Sequence, residues 1–67
     1  MAVTIYRVVD LGPPHATQEY AAPTPRVALE LFGIDPTDTT EEVLSTRVTQ
    51  FSLPGIAWLV VALRTQE

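Results

Sequence analysis

Cysteine is absent from this 67-residue chain, so neither disulfides nor a thiolate metal cluster can staple it. Lysine and asparagine are absent too, and the four basic residues are all arginine: Arg7, Arg26, Arg47 and Arg64. They face eight acids, for a net charge of −4. A chain of that sign repels phosphate backbones, so direct nucleic-acid binding is not expected. No long hydrophobic run exists either. The longest, Ile56 to Leu63, falls far short of the about 20 residues that a helix needs to cross a bilayer. The start, Met1-Ala2-Val3-Thr4-Ile5, lacks the basic opening and long apolar middle of a signal peptide. The expectation from these absences is a complete small reading frame, cytoplasmic, with no membrane contact.

Catalytic chemistry is equally scarce. There is one histidine, His15, and the serines are Ser45 and Ser52. A Ser-His-acid arrangement needs an imidazole oriented by a carboxylate and within reach of a hydroxyl, and nothing in the spacing supports one. His15 follows two prolines and reads as a solvated loop side chain. No pair of ligands has the short spacing of a zinc or calcium loop. Gly12, Gly33 and Gly55 stand at separate turns, which leaves no glycine-rich cradle for phosphates. The chain reads as a non-enzyme without metal or cofactor.

What is present is apolar surface: 46% of residues are hydrophobic and only 18% charged, too apolar for a disordered tail. A chain this short builds one modest core, hence a single domain over 1–67. Ala2 to Leu11 reads as a strand from Val3, Ile5, Tyr6, Val8 and Val9. Gly12-Pro13-Pro14 stops it, and Thr17 to Ala21 returns beside it as a hairpin. The clearest signal is a helix from Pro25 to about Phe32. Thr24 stands ready as N-cap, Pro25 fills the first helical position, and Gly33 follows as a left-handed C-terminal cap.

Residues 40–52 admit two readings. Thr39-Thr40-Glu41-Glu42 fits a capping box, with Leu44, Val48 and Phe51 at helical spacing, whereas Thr46, Val48 and Thr49 favour a strand. A brief helical turn near Thr40–Leu44, then a strand from about Ser45 to Ser52, reconciles them. Pro54-Gly55 supplies the next turn. The last strand, Ile56 to Arg64, is apolar on both faces: Ile56, Trp58, Val60 and Ala62 on one, Ala57, Leu59, Val61 and Leu63 on the other. The expected architecture is ββαββ, an α+β domain with one helix on a small antiparallel sheet.

One helix covers one face, so the second face needs another cover: a loop such as those around Pro13 and Pro36, an extra turn, or a second protein molecule. The simplest is a second copy in a two-fold homodimer, joining sheets face to face or edge to edge, with Trp58 or Leu59 at or near the contact according to the face the helix takes. Asp35, Asp38, Glu41 and Glu42 hold half of the acids, with no intervening base. They read either as solubilising, helix-start acids or as a patch that meets a basic groove on a protein partner. Tyr6 and Tyr20 are the candidate aromatic anchors beside them.

The stretch from Gln18 to Gly33, in which a strand ending in an acid and an aromatic runs through a Thr-Pro cap into an Ala-Leu helix, resembles a passage common in small phage and mobile-element proteins. With the tryptophan-bearing final strand, the layout is similar to certain small anti-CRISPR proteins. Together with the small frame, the absent catalytic set, the acidic patch and the surplus apolar strand, the expectation is a non-enzymatic phage or mobile-element protein that binds and inhibits or modulates a host protein complex. Basic examples of the layout present lysines and this chain has none, so no functional residue carries across. The alternative is a small self-associating structural or assembly protein.

Overall fold

The computed structural model describes residues 3–66. In chain order they form β1 (Val3–Asp10), β2 (Thr17–Ala22), α1 (Pro25–Phe32), β3 (Thr40–Val43), β4 (Val48–Leu53) and β5 (Ile56–Gln66). The strands make one sheet in the order β2-β1-β5-β4-β3, and every neighbouring pair is antiparallel. The class is α+β. Two points of the expected layout are corrected. Thr40–Val43 is a strand paired with β4 rather than a helical turn, so the order is ββαβββ with five strands. The strand placed from Ser45 begins at Val48, because Leu44–Arg47 form the hairpin loop. Ala2, expected to open the first strand, and Met1 lie outside the described residues.

The helix forms where its capping chemistry places it. The Thr24 hydroxyl accepts the Val27 N–H at 3.2 Å. Gly33, at φ 106°, donates its N–H to the Glu30 carbonyl, a backbone geometry that residues with a Cβ resist. At two turns α1 is too short to persist alone. Ala28 and Leu29, both fully buried, tie it to the sheet. It is also far too short to cross a membrane, and no helix among the described residues is long and apolar enough to do so.

The residues beneath the helix come from one face of each central strand: Tyr6 and Val8 from β1, Ala22 from β2, Phe51 from β4, Trp58 and Val60 from β5. Register brings them together, since Val8 lies opposite Val60 and Phe51 opposite Trp58. The aromatic rings fill the gap between the helix and the sheet. Val9, Leu59, Val61 and Val48 of the same strands fall on the far face. Ile34 packs against the same cluster as the chain leaves the helix. The Trp58 Nε1–H is buried without a hydrogen-bond partner among the described residues, an arrangement that costs about 1–3 kcal/mol and that surrounding aromatic burial offsets.

Candidate functional site

Strand alternation decides what the uncovered face of the sheet presents. With Trp58 and Val60 beneath the helix, Ala57, Leu59 and Val61 of β5 point the other way. Val9 lies opposite Leu59, and Val48 opposite Val61. These residues are half-buried, each shaded by its neighbours, and form an apolar strip across β1, β5 and β4. Polar side chains bound it on both sides. On one flank the Arg7 guanidinium pairs with Glu19 across β1 and β2 at 2.8 Å. On the other, Gln50 lies opposite Glu42 across β4 and β3. An apolar centre with a polar rim carrying both signs is the general build of a protein contact surface.

Neither of the proline-rich loops covers this strip. Pro13 and Pro14 stand exposed at the end of the β1–β2 hairpin. The loop after α1 stays on the helix side, where Ile34 joins the core. Of the two residues offered for a dimer contact, Trp58 is 3% exposed beneath the helix, so only Leu59 stands on the open face. Tyr6, offered as an aromatic anchor, is 7% exposed and belongs to the core; it is not presented to a partner. Tyr20 is half-buried and meets Phe32 edge to face, with ring centroids 6.5 Å apart.

The structure also divides the acids that the sequence groups. Glu41 and Glu42 are neighbours in a strand and therefore point to opposite faces. Glu41 stands 3.5 Å from the Arg26 guanidinium, while Glu42 faces the open side. Asp35 and Asp38 lie in the exposed loop before β3. The Asp35 carboxylate accepts the Thr37 N–H at 2.9 Å, and the Thr37 hydroxyl and amide together hold its carboxyl below the usual carboxylate range. Among the described residues no group of three or more His, Cys, Asp or Glu side chains is arranged to hold a metal ion. His15 is exposed at φ 60° in its turn.

One residue matters that sequence reading passed over. β5 carries an irregularity where its pairing with β1 shifts: Ile5 lies opposite Arg64 but Tyr6 opposite Ala62, leaving Leu63 as the extra residue. Arg47, just ahead of β4, closes that bulge. Its backbone carbonyl accepts the Ala62 N–H at 2.7 Å. Its Nε donates to the Ala62 carbonyl at 3.0 Å, and its Nη2 to the Leu63 carbonyl at 2.6 Å. The planar guanidinium fork is what two neighbouring carbonyls require. No local signal reveals this, because the partners lie 15 and 16 positions away.

No family model, no curated protein and no solved structure matches the chain.

Proposed function

We propose that this chain is a non-enzymatic protein-binding module that works as a two-fold homodimer joined through the open sheet face. The observation that carries the reading is the apolar strip of Val9, Leu59, Val61 and Val48, which no loop or helix among the described residues covers. Five strands at about 4.8 Å spacing and six residues at about 3.3 Å rise give a face of roughly 500 Å² in projection. Side-chain relief raises that toward the about 800 Å² per partner of a standard interface. Two such faces pack as a sandwich about 10 Å thick. A two-fold axis along the strands sets the β2 side of one copy over the β3 side of the other, which offers Arg7 a second carboxylate in Glu42.

The absence of cysteine makes the test clean. Single-cysteine variants at Val9, Leu59 and Val61 are oxidised mildly and compared with Glu30→Cys on the exposed side of the helix. At least one open-face thiol is expected to form the disulfide dimer far faster than Glu30→Cys. Equal, slow rates at all four positions would overturn the reading.

A second reading keeps the host-directed inhibitor similar to small anti-CRISPR proteins. It is favoured by the exposed carboxylates of Asp35, Asp38 and Glu42, which no arginine among the described residues approaches within ion-pair distance. Such acids suit a basic groove on a protein partner. A partner recovered by the native chain and lost to the triple charge reversal supports it; retention by the reversed variant removes it.

A further inference from the structure

The two edges of the sheet are built differently. β3, at one margin, is four residues long and carries the neighbouring acids Glu41 and Glu42. Short length and charge are the usual guards against strand addition. β2, at the other margin, is open by comparison. Its six residues pair with β1 in unbroken register, without a bulge or an internal proline. Its one charge, Glu19, is already matched by Arg7. The Asp10 N–H donates to the Ala16 carbonyl at 2.9 Å, one step beyond the Val9–Thr17 pair. That bond fixes the phase of the ladder: Gln18, Tyr20 and Ala22 turn their backbone groups to β1, and Thr17, Glu19 and Ala21 turn theirs outward. Those outward N–H and C=O groups have no backbone partner among the described residues.

The helix adds an apolar wall above that edge. α1 packs against β2, and Arg26 reaches across to Glu41 in β3, so the opposite flank of α1, with Val27 and Leu31, stands on the β2 side. Leu31 is 53% exposed, and Tyr20 is half-buried in contact with Phe32. A strand added to β2 sets alternate side chains beside Tyr20 on the helix side and the others beside Glu19 on the open side. We infer that the β2 edge binds an extended segment of a protein partner in which apolar and basic residues alternate. Main-chain bonds give such a complex its affinity, and the alternation gives its specificity. Glu19 spends one carboxylate oxygen on Arg7 and offers the second to a basic side chain of the segment. The net charge of −4 favours a cationic partner. Face-to-face pairing of two copies leaves the edge free, so the inference stands apart from the homodimer.

The probe is a short synthetic peptide of alternating valine and arginine, titrated into the full chain and read by amide-resolved NMR hydrogen exchange. Saturable slowing is expected at the Thr17, Glu19 and Ala21 amides, with a dissociation constant of about 0.1–1 mM. The same peptide N-methylated at its hydrogen-bonding positions, and a valine–glutamate peptide, should each bind at least about tenfold more weakly. Ala21→Pro removes an outward N–H and no bond to β1, a place where an edge strand tolerates proline; it should keep the native circular dichroism and lose the peptide. The absence of slowing, equal slowing by the glutamate or N-methylated peptide, or slowing centred on Glu41 and Val43 of β3 would overturn the inference. So would protection of Thr17, Glu19 and Ala21 in the chain alone that rises with its concentration, since that assigns the edge to the β2 strand of a second copy.

Discussion

Replacing Arg47 by alanine tests whether the bulge in β5 depends on the guanidinium fork. Two bonds are lost, to the Ala62 carbonyl and the Leu63 carbonyl. A hydrogen bond to a charged group contributes about 1.5–3 kcal/mol in a protected setting. Arg47 is exposed, so water takes over part of the work and each bond is discounted to under about 1 kcal/mol. The expected loss for Arg47→Ala is therefore about 1.5 kcal/mol. With a urea slope of about 1 kcal/mol/M for so small a domain, the midpoint falls by about 1.5 M. Lysine carries the charge but not the fork and reaches one carbonyl at a time, so Arg47→Lys should recover less than half of the loss. Arg64→Ala, a surface change away from any such bond, serves as control and stays within about 0.5 kcal/mol of the native chain. Equilibrium urea denaturation followed by Trp58 fluorescence reads all three. If Arg47→Ala matched the control, or Arg47→Lys matched the native chain, the fork would have no structural role.

Two further outcomes follow from local chemistry. Thr24→Ala removes the hydroxyl that accepts the Val27 N–H and should cost about 1 kcal/mol by the same denaturation; no change would mean that packing of Ala28 and Leu29 alone sets the helix start. Asp35 binds its proton more weakly in the folded chain, because of the Thr37 hydroxyl and then the Thr37 amide. Its stabilising effect on the loop is thus complete above the usual carboxylate range and is lost as pH falls through the lowered value. Thr37→Ala should raise the Asp35 midpoint in a carboxyl NMR titration, and an unmoved midpoint would remove the hydroxyl as the leading cause.

The helix was legible in the sequence because its determinants are neighbours. Thr24, Pro25 and Gly33 lie within one short segment, and each acts on backbone groups a few positions away. β3 was not legible for the opposite reason. Thr39-Thr40-Glu41-Glu42 imitates a capping box locally, while the pairing of Thr40 with Ser52 and Val43 with Thr49 is a longer-range event that overrides it. Closeness in sequence groups Glu41 and Glu42 into one patch, whereas strand alternation turns them to opposite faces. The two-sided apolar character of β5 was plain, but its buried side was not. That choice belongs to the fit of Tyr6, Phe51 and Trp58 under the helix, and volume filling of this kind has no sequence pattern when both faces are apolar. The Arg47 clamp depends on a register shift between β1 and β5, which no property of either strand alone announces.

Sedimentation velocity over a range of micromolar concentrations, on the native chain and on Leu59→Glu, tests the open face most directly. Leu59 lies opposite Val9 and Gln50 at the centre of that face, away from the core beneath the helix, so the variant should keep the fold and its circular dichroism. The native chain is expected at twice the mass of one chain, dissociating on dilution, and Leu59→Glu at the mass of one. A native chain that stays monomeric at every concentration, with a cooperative melt, would contradict the account.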